Sequence, residues 1–135
     1  MRKILLLSLA SLGCASVYAQ TYCVPVFASG CDDGDQINSF AIPSVAFSHQ
    51  NTACSTDSYG DYTAQSITLQ AGVAYSYSIT HGYEDQSVKI WIDLNNDGTF
   101  IDDAPELVAV NGSTGLGSSA VTNGNIIIPS TAHPG

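Results

Sequence analysis

The chain has 135 residues, 44% of them hydrophobic and only 11% charged, with twelve acids against three Lys and Arg and a formal charge of −9. Three scattered cations cannot form the clustered basic surface that nucleic acid or an anionic membrane face requires, so both are excluded as partners. The length suits one modest domain with a single core.

The first residues, Met1-Arg2-Lys3, precede the apolar run Ile4 to Leu12, and Val17-Tyr18-Ala19 stands before Gln20. A basic start, an apolar middle and a small-residue site make 1–19 a secretory signal peptide cleaved after Ala19. The apolar run is too short for a permanent membrane anchor, so no membrane insertion is expected. A lipoprotein signal around Leu12-Gly13-Cys14 is the competing reading; Ser11 stands where such signals prefer a large aliphatic. Cleavage removes Arg2 and Lys3 and leaves Lys89 alone against the twelve acids, a formal −11. The expected location is outside the cell, secreted or at its surface. There a bound divalent cation would relieve the self-repulsion of so acidic a domain.

Processing also removes Cys14, leaving Cys23, Cys31 and Cys54 in the first part of residues 20–135. Disulfide use is expected of an exported chain. An odd count leaves one thiol free, paired between chains, or paired with sequence not present here. No Cys-x-x-Cys pair or Cys/His cluster points to zinc.

Further along, Phe40 and Ile42, then Val45 and Phe47, alternate around Pro43, as short edge or bulged strands do. Asn51 to Tyr62 is polar and turn-forming, and Ser66 to Gln70 is a short strand candidate. In Val73 to Thr80, Val73, Tyr75, Tyr77 and Ile79 face one way and the small polar residues the other, the clearest strand of the chain. Val88, Ile90 and Ile92 alternate with Lys89 and Trp91 in the same manner.

That strand runs into Asp93-Leu94-Asn95-Asn96-Asp97-Gly98-Thr99, the D-x-N-x-D-G pattern of a calcium loop. Residues one, three and five of such a loop aim their oxygens at a common centre, and Gly at six makes the turn that lets the next carbonyl join them. The expected ligands are therefore the side chains of Asp93, Asn95 and Asp97 and the carbonyl of Thr99. The twelfth position, a bidentate Glu in helix-loop-helix sites, is Ala104 here. Asp102, Asp103 or Glu106 is expected to supply the missing carboxylate. Asn-Asp-Gly also forms ordinary turns without any metal; the three further acids nearby favour calcium.

Asn111-Gly112 and Asn123-Gly124 each read as a tight hairpin turn, the first after a strand from Glu106 to Val110, the second before one from Asn125 to Ile128. No stretch after the signal has sustained helical periodicity. The expected fold is all-β, an antiparallel β-sandwich forming one module over 20–135. Ile128-Pro129 and the turn-like residues to Gly135 read as a lead into a further strand, so the sandwich is expected to be incomplete at its carboxyl end and to expose an edge.

In order, Tyr22-Cys23, Cys31, Ile37, Cys54, Tyr59-Gly60-Asp61-Tyr62-Thr63, Leu69-Gln70-Ala71-Gly72-Val73-Ala74-Tyr75 and Trp91 to Phe100 resemble the GEVED domain, a secreted β-domain common in Bacteroidetes-type bacteria. The segment Ile128 to Gly135 is similar to the family stretch that leads into a strand rich in Arg and Met. The Gly-Glu-Val-Glu-Asp-Tyr signature of the family, and a further Cys near it, are not in this sequence. The resemblance implies that this further Cys partners the odd cysteine. It also implies a non-catalytic module in a long exported protein, beside peptidase, adhesin-like or immunoglobulin-like domains and often a sorting domain for type IX secretion.

No G-x-S-x-G elbow or H-E-x-x-H helix occurs, and His49, His81 and His133 sit in separate turn-like segments. Gly115 to Ala120 follows no βαβ pattern and reads as a loop. Paired carboxylates for glycoside hydrolysis are not excluded by spacing, but the acids concentrate in the calcium-like loop. Tyr59, Tyr62, Tyr75, Tyr77 and Tyr83 suit either a small β core or, as exposed faces, sugars and partner proteins. The sequence is therefore read as a non-enzymatic, calcium-stabilised extracellular module, structural or adhesive. Its expected partners are other domains of the same polypeptide and a glycan or cell-surface protein. The alternative is an accessory, carbohydrate-binding module of a secreted peptidase or glycoside hydrolase.

Overall fold

The computed structural model describes residues 22, 24, 26, 29–83, 86–100, 105–115, 117 and 120–134. The signal peptide with Cys14, the site at Ala19, and Cys23, Asp102 and Asp103 lie outside the described residues. Among the described residues six strands form two antiparallel sheets: β1 (Ile37–Ile42), β2 (Phe47–Gln50), β3 (Ala74–His81) and β6 (Val121–Ile127) in the order β2-β1-β3-β6, and β4 (Ser87–Trp91) with β5 (Leu107–Gly112).

Pro43 fixes the first hairpin. It ends β1, having no N–H to give a ladder, and opens a short 3-10 turn closed by Ala46 at φ 54. The chain then returns with Ile42 opposite Phe47 and Phe40 opposite His49. The period-two pattern of β3 places Tyr75, Tyr77, Ile79 and His81 on its buried face. Tyr75, Tyr77 and Ile79, with Ile42, Ile126 and Ile128, meet Val88 and Ala109 of the second sheet in one core, so the expected face-to-face packing of two antiparallel sheets holds. The tyrosines divide: Tyr75 and Tyr77 are buried, whereas Tyr59, Tyr62 and Tyr83 are exposed.

Three local expectations are corrected. Asn111-Gly112 and Asn123-Gly124 are not hairpin turns but lie within β5 and β6. Neither glycine has positive φ; Gly124 stands opposite Tyr77, and a Cβ there would lie 2.7 Å from the Tyr77 hydroxyl and 2.6 Å from Asn111 Nδ2. The dipeptide therefore makes room for a crossing side chain and does not reverse the chain. Ser66 to Gln70 is in no strand. Its alternation is real in packing, since Ile67 and Leu69 lie against the core, but the Gln70 N–H is used on the Tyr75 hydroxyl at 2.7 Å.

Cys31 and Cys54 form a disulfide with Cα atoms 5.8 Å apart. It joins the segment before β1 to the loop after β2, closing a loop with a sequence separation of 23. No described helix is long and apolar enough to cross a membrane.

Candidate metal centre

The loop 93–98 begins two residues after β4, where the strand's buried face runs out, with Ile92 still packed against the core and Leu94 buried. Its shape is set by its own side chains. The Asp97 N–H donates to Asp93 Oδ1 at 3.1 Å, and the Gly98 N–H to Asp93 Oδ2 at 2.9 Å. The first residue thus gathers the backbone of the fifth and sixth. Gly98 takes φ 83 and Asn96 φ 62, the left-handed turn that the spacing anticipates from Gly at the sixth position.

Asp97 is held in turn by Thr99, whose N–H and hydroxyl both donate to Oδ1, at 2.9 and 2.6 Å. Asn95 uses both ends of its amide on the same residue: Nδ2 donates to Asp97 Oδ2 at 2.9 Å and Oδ1 accepts the Asp97 N–H at 2.9 Å. As the structure stands, Asn95 and Thr99 therefore orient Asp97.

The third carboxylate arrives from the other strand of the sheet. Glu106 directly precedes β5, and its carbonyl accepts the Ile92 N–H at 3.0 Å, so continued pairing with β4 carries it to the mouth of the loop. Its side chain is 2% exposed. Ligand oxygens of Asp93, Asp97 and Glu106 all lie within 4.8 Å of one another. Oε1 of Glu106 accepts no hydrogen bond among the described residues, while the carboxylate acts electrostatically on the Tyr22 phenol. Of the three acids that the sequence offers to complete the site, Glu106 stands at the loop, and Asp102 and Asp103 lie outside the described residues.

Tyr22 is an addition that the sequence does not signal. Its hydroxyl donates to Asp93 Oδ2 at 2.9 Å, and its ring stacks on Phe100 with centroids 4.8 Å apart. No spacing rule links residues so distant in sequence. Burial raises the Tyr22 pKa, and the hydrogen bond to Asp93 and the charges of Asp93, Asp97 and Glu106 push it the same way. For Asp93, burial pushes upward but is outweighed by donors from Gly98, Tyr22, Asp97 and Asn96, so its carboxyl titrates below the usual range. Asp97 is lowered by the Thr99 hydroxyl, the Thr99 N–H and the Asn95 amide. Both aspartates are thus held ionised. Asp97 Oδ2 accepts Asn95 Nδ2 and keeps a second lone-pair direction, whereas Asp97 Oδ1 and Asp93 Oδ2 each already accept two of the bonds described. Three hard, anionic oxygen donors suit a hard cation such as calcium and offer nothing to a soft metal.

The histidines do other work. His81 is buried with Nε2 2.7 Å from the Thr122 hydroxyl, His49 packs edge-on against Tyr62, and His133 donates its backbone N–H to the Leu94 carbonyl.

No curated protein and no solved structure matches the chain. The model of the GEVED domain family matches residues 87–135, so the stretch that holds β4, the acidic loop, β5 and β6 is similar to GEVED-domain sequence.

Proposed function

We propose that this module is a non-catalytic, calcium-stabilised extracellular unit, serving as a structural or adhesive part of a larger exported polypeptide. The observation that carries the calcium reading is the meeting of Asp93, Asp97 and Glu106 at the end of the β4–β5 pair. Two of these carboxylates come from one strand's exit and the third from its neighbour's entry. A cation held by all three would tie the two strands of the smaller sheet together where their register shifts, between Ile90 and Trp91. The preference is for calcium over magnesium, because a loop with carboxylates at irregular spacing meets the looser geometry of the larger ion.

Export is supported by the signal-like first residues and by the disulfide between Cys31 and Cys54. A part in a larger polypeptide is what the match of residues 87–135 to a modular family favours.

Isothermal calorimetry on the metal-free chain tests the reading. Calcium should bind with one-site stoichiometry and displace magnesium. Glu106→Gln, which keeps shape and removes charge, should weaken binding at least tenfold, the loss of about 1.4 kcal/mol. Absence of calcium heat, or an unchanged isotherm for Glu106→Gln, would contradict it.

A further inference from the structure

Of the six non-glycine residues with positive φ among the described residues, four fall within one stretch after β2: Asn51 (φ 58), Ala53 (φ 49), Asp57 (φ 55) and Ser58 (φ 60). Asn and Asp tolerate the left-handed region. Ala and Ser have no such allowance, because their Cβ crowds the following carbonyl oxygen there. The reason for the turn lies in how the stretch is tied. Thr52 is fastened to β1, its N–H donating to the Asn38 carbonyl at 3.2 Å and its hydroxyl to the Ile37 carbonyl. Cys54 is fastened to Cys31. Ala53 alone spans the two ties.

Beyond Cys54 the described backbone bonds stay within the segment, from the Ser58 N–H to the Ser55 carbonyl at 2.9 Å and from the Tyr59 N–H to the Thr56 carbonyl at 3.3 Å. Ser58 lies over Gly30, where a Cβ would come within 2.4 Å of the Ser58 hydroxyl oxygen. The Ser55 hydroxyl is 3.2 Å from that of Tyr62, whose ring meets His49 of β2 edge-on with centroids 4.3 Å apart. The disulfide is thus the covalent hold on a segment that is otherwise seated by side-chain contacts. Cys54 is exposed and Cys31 half-buried, so a thiol in solution can reach the bond.

We propose that the Cys31–Cys54 bond is a thiol-exchange site for a dithiol, whose opening frees residues 53–58 while the sheet stays folded. One thiolate of the dithiol attacks Cys54 Sγ, the protein S–S bond breaks, and Cys31 leaves as a thiolate that takes up a proton. The second thiol of the reagent then displaces Cys54 and closes the reagent's own disulfide. The protein gains two electrons and two protons, and the dithiol loses them. A monothiol stops at a mixed disulfide on Cys54, which Cys31 can displace again. Release of the left-handed turn at Ala53 favours the opened form. Ala53, Ser55, Ser58 and Tyr62 line a groove together with Val88 and Trp91 of β4, so opening the bond also reshapes that groove. This site is independent of the calcium reading.

Amide exchange read by mass spectrometry, on the oxidised chain and on the chain reduced with dithiothreitol, tests the proposal. Capping the thiols present before reduction with one alkylating agent and those released by it with a second identifies the bond opened. Reduction should speed exchange over 51–58 by about tenfold or more and leave β3 and β6 protected. Ala53→Asn, which suits the left-handed turn, should lower the equilibrium constant for reduction by dithiothreitol severalfold, because less is relieved on opening. Ala64→Asn, at an exposed position without positive φ, should leave that constant unchanged. Should Ala53→Asn not fold, Ser58→Asn makes the same test. The proposal fails if 51–58 exchanges alike in both states, or if β3 and β6 lose protection along with it, which would make the bond a staple of the whole fold. It fails equally if dithiothreitol opens the bond only in denaturant, or if the folded Asn variant is reduced as the parent is.

Discussion

Gly124 of β6 stands opposite Tyr77 of β3, and the Tyr77 ring crosses the space where a side chain would be. Nothing larger than hydrogen fits between the Tyr77 hydroxyl and the Asn111 amide, which is how β5 of the smaller sheet comes to rest against the larger one. Gly124→Ala should therefore destabilise the fold by about 1–3 kcal/mol, the usual cost of overpacking. Urea unfolding should show a lower midpoint with an unchanged slope. Combining it with Tyr77→Phe should cost less than the sum, because the second change removes one of the three atoms in conflict, the hydroxyl, and leaves Tyr77 Cε1 and Asn111 Nδ2.

The disulfide carries a comparable share. Loss of a crosslink spanning 23 residues releases chain entropy in the unfolded state worth about 3 kcal/mol. Cys54→Ser should lower stability by about that amount, and reductant should bring the parent protein to the same level. Thermal melts with and without reductant measure both.

His81 predicts a dependence on pH. Burial of its ring lowers its pKa below the ordinary value of about 6.5, and its Nε2 lies 2.7 Å from the Thr122 hydroxyl. The unfolded chain therefore takes up this proton first as pH falls. Stability is complete above about pH 6.5, declines below it, and levels off once His81 protonates in the folded state as well. Stability measured between neutral and mildly acidic pH should show this decline, and His81→Gln should flatten it.

Much of the fold is legible in the sequence. Period-two alternation locates β3 and β4 and their buried faces, because a strand half-buried on one side must repeat every second residue. Pro43 marks the break between β1 and β2. The acidic loop is visible as a spacing, and its hydrogen bonds follow that spacing residue by residue. What escapes is non-local. Asn-Gly signals a turn only where positive φ is needed, and the reason for Gly124 is a tyrosine on another strand. Ile67 and Leu69 alternate as in a strand, yet pack from a segment with no ladder. The Cys31–Cys54 pairing, the burial of Glu106 and the contact of Tyr22 with Asp93 are all set by tertiary packing, which spacing does not encode.

Thermal melting with saturating calcium, and again with chelator, bears most directly on the calcium site. A ligand that binds only the folded chain stabilises it by about 2.7 kcal/mol at a hundredfold excess over its dissociation constant. For a domain of this size that is a shift on the order of 10 °C. The expected result is a higher midpoint in calcium for the parent chain and coincident midpoints for Asp97→Ala, with the chelated parent and the variant melting alike. Coincident curves for the parent chain with calcium and with chelator would contradict a calcium site and leave the loop an Asn-Asp-Gly turn held by its own hydrogen bonds.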